Sequence, residues 1–377
     1  LVPLLLLPLL VEKATHLTPH YILGSQGTNT NAATNFALII GLSYFTFNAI
    51  SYLVDVKRRY IEPERSFPSL LFYLLFFPAL LSGPLHRYKF INNQLNDIGW
   101  SLQSLSNGSV LLLWGFFKNM VVAQRLQYML NGTEATGWFV LVHGLLFFLF
   151  LYVNFSSFID IVQGIALLFN LQLKSNFHNR VYMACSRQQF WQGWHITLNE
   201  WFRDYFFFSV ARFDKQRRYT NLLLLVTFLL IALWHGFTLV LLVWGLLNGT
   251  WIIAEKKWMG KWQPRTWWQK TAGRLYHLGL ASVLAALFIT PSLGSLLNRF
   301  LDHSHLSLAK GGGYVLIVLI IAFAGMDWLN TKAGDKRMDV YLQTLPYWQR
   351  TMLCGALLTA IFLFGLTNSI TNYYIRF

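Results

Sequence analysis

Charged residues are scarce in this sequence. Asp, Glu, Lys and Arg together make up 12% of its 377 residues, whereas soluble domains carry roughly 25%. Apolar residues make up 55%, and the mean hydropathy is +0.43. This composition excludes a disordered protein and argues against a soluble globular one. It predicts a bundle of membrane helices.

Acidic residues are scarcer still, with 15 Asp and Glu against 30 Lys and Arg. The resulting net charge of +15 is spread between the apolar runs and is not gathered in one patch. We therefore expect the basic residues to meet anionic lipid headgroups, and we predict no nucleic-acid partner.

Cysteines and metal-binding motifs are nearly absent. Cys185 and Cys354 lie far apart, which excludes a disulfide framework and a cysteine metal cluster. The sequence has no H-E-x-x-H, C-x-x-C, Walker or G-x-S-x-G motif, so we predict no metal and no bound cofactor. Because the chain begins at Leu1 inside an apolar run, without a basic region before it, we expect no cleaved signal peptide and a natural N-terminus further upstream.

Apolar runs of membrane-spanning length recur along the chain. A helix needs roughly 20 such residues to cross a bilayer. We count about ten spans: the end of one at Leu1–Val11, then Phe36–Val54, Ser69–Leu85, Ser109–Ala123, Trp138–Val153, Phe155–Asn170, Asn221–Trp234, Thr238–Ile253, Leu278–Leu293, Gly313–Trp328 and Thr351–Thr367. We predict one all-α membrane domain over residues 1–377. No internal repeat suggests a repeat-based transporter.

The segment 188–210 is too charged to face lipid. It carries Glu200, Arg203 and Asp204, so we expect it to lie in the interface or to re-enter the membrane under the cover of protein. If the segment forms one helix, Arg203 shares a face with Trp191, His195 and Asn199, because these residues are four positions apart. His195 is then a functional candidate, the alternative being an interfacial residue that reaches headgroups.

His235 lies between two apolar spans, with Trp234 before it and Gly236 after it. A glycine there favours close backbone approach or a local break where a substrate can meet the imidazole. Imidazole is suited to deprotonate a hydroxyl near neutral pH. The alternative is a histidine that only packs between helices.

Two further ionisable residues lie in or beside apolar segments. We expect Asp160 to form a structural ion pair with an arginine of the bundle. Arg87 follows a helix break at Gly83 and Pro84, where it can hold an anionic group such as a phosphate or pantetheine, or reach headgroups. Three basic clusters are candidates for the cytoplasmic side, namely Lys57–Arg59, Arg212–Arg218 and Lys256–Lys270.

Several short motifs, in order along most of the chain, resemble the membrane-bound O-acyltransferase superfamily. They are G-L-S-Y-F-T-F at Gly41–Phe47, Y-L-V-D-V at Tyr52–Val56, F-F-P at Phe76–Pro78, S-G-P at Ser82–Pro84, R-Y at Arg87–Tyr88, N-F at Asn176–Phe177, F-W and W-H-I within Phe190–Ile196, W-F-R-D-Y at Trp201–Tyr205, L-W-H-G at Leu233–Gly236 and W-G at Trp244–Gly245. Within it, the chain is most similar to bacterial polysaccharide O-acetyltransferases of the alginate and peptidoglycan type, and the aromatic terminus Asn372–Phe377 resembles that branch. Asn154 and Asn199 depart from its usual residues.

The resemblance implies many helices around a central funnel or tunnel, with His235 as the catalytic histidine and His195 as the second functional one. It implies an acyltransferase of the bacterial inner membrane that takes acetyl from acetyl-CoA, or from an acyl carrier thioester, on the cytoplasmic side. A periplasmic or extracellular acetyltransferase partner and a polysaccharide acceptor would complete the transfer. We expect Trp191, Trp194 and Trp234 to line the acyl channel and His195 or Asn199 to donate a hydrogen bond to the oxyanion. The other residues expected to contact substrate or line the tunnel are Asn199, Arg87, Arg203 and Asp204.

Three alternatives stay open at this stage. The chain can transfer D-alanyl from a carrier protein toward teichoic acid, since that neighbouring branch shares the same motifs. It can be a transporter that uses Asp160, His195 and His235 as an ion relay. It can also be a scaffold that needs neither histidine.

Overall fold

The computed structural model describes residue 6 and residues 41–80, 83–260, 264–308 and 312–366. The predicted span end at Leu1–Val11, apart from Leu6, and the aromatic terminus Asn372–Phe377 lie outside the described residues. So does Ser82 of the S-G-P motif.

Helices form nearly all of the regular structure. In the first half of the chain they are α1 (Leu42–Lys57), α2 (Phe67–Leu74), α3 (Phe77–Leu80), α4 (Tyr88–Asn92), α5 (Leu102–Phe116), α6 (Gln124–Gly132) and α7 (Phe139–Leu168). In the second half they are α8 (Arg187–Gly193), α9 (Ile196–Trp201), α10 (Phe208–Ala211), α11 (Thr220–His235), α12 (Leu239–Trp258), α13 (Trp267–Ile289), α14 (Leu293–Leu301), α15 (Gly312–Ala333), α16 (Met338–Gln343) and α17 (Tyr347–Phe364).

Shorter elements join these helices. Phe117–Ala123 is a π-helical stretch between α5 and α6, and Phe202–Phe207 is another between α9 and α10. There are 3₁₀ turns at Leu95–Asp97 and Val181–Met183. The β structure of the described residues is one antiparallel pair, in which Glu134 faces Ser307 and Ala135 faces Leu306, so that β1 (Glu134–Ala135) pairs with β2 (Leu306–Ser307).

Four described helices are long and apolar enough to cross a membrane, namely α7, α12, α13 and α15. Two shorter apolar stretches, Phe67–Leu80 and α11, accompany them. The all-α membrane fold is therefore confirmed, whereas the number of about ten spans and the central funnel stay predictions.

The two spans predicted at Trp138–Val153 and Phe155–Asn170 are wrong, because they form the single helix α7. This helix has 30 residues, which is about 45 Å at roughly 1.5 Å per residue. Asn154, where the two spans were divided, is buried inside the helix. A polar residue that packs against protein does not end a helix, and no Gly or Pro lies near it to do so.

Helix α7 is central because small residues let its neighbours approach closely. A Cβ on Gly144 would lie 2.2 Å from the backbone oxygen of Ser282 on α13. On the other side, a Cβ on Gly108 of α5 would lie 2.8 Å from the backbone oxygen of Gly164. Contacts of this kind hold membrane helices together through close packing of their backbones. They fix α13 against α7, and these two helices form one wall of the site described below.

We predict that Gly144→Ala destabilises the bundle by about 1–3 kcal/mol, because the added methyl group meets backbone that cannot move aside. The measurement is the midpoint of heat-induced loss of the monodisperse protein in detergent. Gly279→Ala on α13 is the matched control, since a Cβ there meets nothing within 4 Å. An equal midpoint for the two variants would contradict this account of the α7–α13 contact.

Candidate active site

The segment 188–210 is not one helix, so the predicted common face of Trp191, His195, Asn199 and Arg203 is wrong. Helix α8 ends at Gly193, Trp194 is extended, and His195 adopts a left-handed conformation with φ 46° and ψ 53° before α9 begins. The interruption rotates the residues after Gly193 away from the face of α8.

An upstream strand-like segment holds this break in place. Trp194 forms an isolated antiparallel bridge with Phe177. The N–H of His178 donates to the carbonyl of Gly193 at 2.9 Å, and the N–H of Ile196 donates to the carbonyl of Asn176 at 3.0 Å. These bonds satisfy backbone groups that a continuous helix would have satisfied internally.

The side chain of Asn176 positions His195. Its Oδ1 accepts from the backbone N–H of Thr197 at 3.0 Å and from the Thr197 hydroxyl at 2.9 Å, and it lies 3.3 Å from His195 Nδ1. A backbone N–H can only donate, so the amide oxygen is on this side and Nδ1 of His195 carries the proton. In the neutral imidazole, Nε2 then has the lone pair.

His235 ends α11 at the side of the same cluster. Its ring packs against Trp234 at a centroid distance of 4.6 Å, Phe288 at 5.2 Å and Trp244 at 5.8 Å. Trp234 in turn lies 6.3 Å from the His195 ring. The helix stops because Gly236 is extended and only its N–H continues the helical pattern. The imidazole is therefore held by aromatic rings from α11, α12 and α13.

Both histidines line one narrow cavity of about 50 Å³. Trp191 and Trp194 line it with them, whereas Trp234 packs against His235 and lies near His195 without lining the cavity. That these tryptophans line an acyl channel stays a prediction. The rest of its wall is mainly apolar, with Phe148, Leu151, Leu284, Ala285 and Phe288 among its residues. The cavity can thus accept a small group and exclude bulk water.

A wider cleft of about 530 Å³ adjoins this cavity. Trp191 and Ile231 line both spaces, so these two side chains stand where the cleft meets the cavity. Asn199, Glu200 and Arg203 line the cleft and not the cavity. The two spaces are therefore neighbours, with Trp191 and Ile231 between them.

Arg187, a residue that the sequence reasoning missed, also lines the cavity. It is 3% exposed, and its Nε and Nη2 both donate to Asn248 Oδ1, at 2.9 and 2.7 Å. Trp191 Nε1 donates to the same oxygen at 3.2 Å. Asn248 is a polar residue inside the predicted span Thr238–Ile253. Uncharged polar residues inside the spans are therefore a signal that points to Asn248, and through its bonds to Arg187.

Asn199 does not reach the cavity. Its Nδ2 donates to the backbone carbonyls of Trp191 and Trp194, at 2.9 and 2.6 Å. The predicted oxyanion donor is therefore a cap on the broken end of α8. This assignment fails because it assumed an unbroken helix.

Arg203, Asp204 and Arg87 lie together, away from the histidine cavity. Asp204 bonds Arg87 at 2.6 Å and Arg203 at 2.8 Å, and the Arg87 guanidinium lies 4.1 Å from the Tyr205 ring. Arg87 thus has a carboxylate partner within the protein. This cluster ties the start of α4 to the π-helical stretch after α9.

Asp160 forms an ion pair with Lys118 at 2.5 Å, not with the arginine that was predicted. Lys118 also donates to Ser156 at 2.9 Å. The π-helical stretch that carries Lys118 turns it toward α7, which sequence periodicity does not reveal. Lys118 and Asp160 line a separate polar cavity of about 30 Å³. That cavity has no lining residue in common with the histidine cavity.

Within residues 41–366, apart from the undescribed gaps, no group of three His, Cys, Asp or Glu side chains is placed to hold a metal ion. The chemistry available at the cavity is that of two imidazoles, a guanidinium and apolar walls.

The chain was compared with known proteins. The model of the membrane-bound O-acyltransferase family matches residues 33–297, which include every element of the histidine cavity. The probable alginate O-acetylase AlgI of Pseudomonas syringae is 31% identical over 241 residues, covering 62% of this chain and 45% of that protein.

Two more distant relatives are named for other reactions. The peptidoglycan O-acetyltransferase of Helicobacter pylori is 27% identical over 284 residues, covering 66% of this chain and 51% of that protein. The teichoic acid D-alanyltransferase of Bacillus subtilis is 23% identical over 256 residues, covering 62% of this chain and 64% of that protein.

The chain spans about half the length of the acetylating relatives. The family match, in contrast, covers well over half of the chain and both histidines. The chain belongs to the membrane-bound O-acyltransferase family.

Proposed function

We propose that this protein transfers an acetyl group from a thioester donor toward a hydroxyl of a cell-envelope or exported polysaccharide. The observation that carries this proposal is the meeting of His195 and His235, 40 positions apart in the sequence, in one narrow cavity that adjoins a wide cleft. Two imidazoles in a narrow, mainly apolar cavity suit proton transfer to and from a hydroxyl that accepts a small acyl group.

One face of the bundle gathers the basic clusters. Arg58 donates to the Asp204 carbonyl and to the Ser209 hydroxyl, which places it beside α10 and the following loop, Arg212–Arg218. Helix α11 leaves this loop and α12 returns alongside it to Lys256 and Lys257. By the positive-inside rule this face is cytoplasmic. The protein would be a multi-pass component of the bacterial inner membrane.

The wide cleft would receive the donor from that face. Arg203 and Phe208 line it, as does Leu224 in the first turns of α11. Helix α11 has 16 residues, so His235 lies about 24 Å along its axis from the basic loop. A thioester on a long, thin arm, as in acetyl-CoA, fits a route that enters between these residues and ends past Trp191. We further propose that about ten spans surround this tunnel.

The chemistry requires one proton acceptor and an oriented carbonyl. His235 takes the proton of the acceptor hydroxyl as its oxygen forms a bond with the acyl carbon. The C–S bond then breaks, and the thiolate leaves with the proton that His235 returns. The single proton of that hydroxyl goes to His235, and His195 accepts through Nε2 a hydrogen bond from a second hydroxyl of the acceptor, which orients the reacting hydroxyl for attack. No acyl-enzyme intermediate is needed, because thiolate is a good leaving group.

The acceptor would arrive from the face opposite the basic loops. A partner acetyltransferase on that side would pass the acetyl group to the polysaccharide, or the hydroxyl of the polysaccharide would enter directly. D-Alanyl transfer is the second candidate, because one relative is named for it. The relay of Asp160, His195 and His235 has no support in the geometry, since Asp160 lines a different cavity from the histidines.

The test uses the full-length protein in proteoliposomes with radiolabelled donors supplied outside. Acetyl-CoA and a D-alanyl-loaded carrier protein are offered separately, with an oligosaccharide hydroxyl as acceptor. Ester formation from acetyl-CoA supports the proposal, and ester formation from the carrier alone replaces it with D-alanyl transfer. If neither thioester is consumed, whereas an ion or solute crosses the membrane, the acyltransferase proposal is wrong.

We predict that His235→Gln lowers kcat by about 10²–10⁴-fold, the range lost with a general base. The measurement is ester formation per folded protein, with folding checked by size-exclusion chromatography. His143→Gln is the matched control, because His143 is also buried in the bundle but contacts the Leu130 carbonyl outside the cavity. Wild-type turnover in His235→Gln would remove His235 from the mechanism.

We predict that Asn176→Leu lowers kcat by about 10–100-fold, since a misplacement of His195 by about 1 Å costs that much. Asn176→Asp keeps the accepting oxygen and is expected to retain more of the activity. Asn330→Leu, which removes another buried amide, is the control. Equal kcat in Asn176→Leu and Asn330→Leu would show that Asn176 does not position the histidine.

A further inference from the structure

Arg187 is a buried cation at the transfer cavity. It is the first residue of α8, it is 3% exposed, and it lines the same cavity as His195 and His235. Its guanidinium stacks on the Phe190 ring at 4.2 Å from the ring centroid. Nε and Nη2 are bonded to Asn248 Oδ1, whereas Nη1 is buried and has no hydrogen-bond partner among the described residues.

The nearby carboxylate does not neutralise this guanidinium directly. Glu255 Oε1 accepts from the backbone N–H of Arg187 at 2.8 Å and from the Tyr276 hydroxyl at 2.7 Å. Its Oε2 accepts from the backbone N–H of Gln188 at 3.0 Å. Glu255 therefore caps the start of α8. Within the described part of the chain, the guanidinium makes no ion pair within 4.0 Å.

A buried cation with an unused donor is costly unless something else in the functional cycle uses it. The neutral amide of Asn248 leaves the charge of the Arg187 guanidinium intact. An aspartate at position 248 would cancel that charge. This arrangement leaves a positive charge and an Nη1 amino group without a hydrogen-bond partner, among the described residues, on a side chain that lines a small apolar cavity. It is the environment in which a developing negative charge on a substrate is stabilised most strongly.

Three other side chains in or near the cavity carry donors that are engaged elsewhere. Asn199 caps the end of α8, Trp191 Nε1 bonds Asn248, and His195 directs its proton to Asn176. Trp234 Nε1 also lacks a partner among the described residues, but Trp234 does not line the cavity.

We propose that Nη1 of Arg187 donates a hydrogen bond to the carbonyl oxygen of the acyl thioester and holds that oxygen as the oxyanion. This proposal rests on the proposed acyl transfer. As the acceptor oxygen bonds to the acyl carbon, the π electrons of the carbonyl move onto the oxygen beside Nη1, and the hydroxyl proton goes to His235. When the carbonyl re-forms, the C–S bond breaks and the thiolate leaves. Arg187 is then a catalytic residue that gains its contact chiefly in the transition state.

The experiment measures kcat and KM for acetyl-CoA in proteoliposomes containing Arg187→Met. We expect kcat to fall by about 10²–10³-fold, the loss seen when one oxyanion donor is removed, with KM within about threefold of wild type. Arg125→Met is the matched control, because Arg125 is 4% exposed in α6 but does not line the cavity. In Arg187→Ala, added methylguanidinium is expected to raise kcat at least tenfold above the value of the variant alone. A purely structural role would not give that recovery.

A second variant covers the case in which Arg187→Met does not fold. Asn248→Asp keeps the size of the side chain and the bonds to Nε and Nη2, but it places a carboxylate against the guanidinium. We expect its kcat to fall at least tenfold, because the paired charge stabilises the oxyanion less.

Three outcomes would overturn the inference. Arg187→Met with a kcat within about threefold of wild type, while His235→Gln is inactive, would remove Arg187 and leave the acyl transfer standing. A change in KM alone would make Arg187 a binding group for the donor. If wild-type protein consumes no thioester, the proposed function fails and this assignment fails with it.

Discussion

A broken backbone inside an apolar bundle needs a partner for every polar group that the break releases, and here Asn176 and its neighbours supply them. The Asn176 carbonyl takes the N–H of Ile196, and its side chain takes the N–H and hydroxyl of Thr197. Without these bonds the segment would close into a continuous helix or be expelled toward water. The place of His195, and with it the cavity shared with His235, depends on this single buried amide.

A second buried amide, Asn248, organises the other side of the cavity. Three N–H groups, two from Arg187 and one from Trp191, converge on its Oδ1. Its own Nδ2 bonds the Trp244 carbonyl one helical turn earlier, which fixes the orientation of the amide. The fold thus uses neutral amides to position an imidazole and a guanidinium. Neither amide alters the charge of the group that it positions, so both groups keep their chemistry.

The sequence predicts the membrane class and the histidines, but not the geometry that joins them. Composition and long apolar runs reveal α12, α13 and α15, because burial in lipid constrains every residue of a span. The break at His195 is set by Asn176, 19 positions earlier, so no local periodicity around His195 contains it. The sequence does not predict the Lys118–Asp160 pair, for a related reason. A π-helical stretch changes which residues of α5 and α6 face α7, and nothing in the spacing of apolar residues marks it.

A route that carries an acyl group through a membrane must not also conduct ions. The narrow apolar cavity and the buried cation that would serve acyl transfer would also block ions. Trp191 and Ile231 separate the cleft from a cavity of about 50 Å³ with mostly apolar walls. Water would be poorly stabilised there, and a positive charge at Arg187 would raise the electrostatic barrier for protons and metal cations. An uncharged acyl group meets no such barrier. Under the proposed function, a constriction formed by an indole ring and an isoleucine beside a cation would discriminate by charge as well as by size.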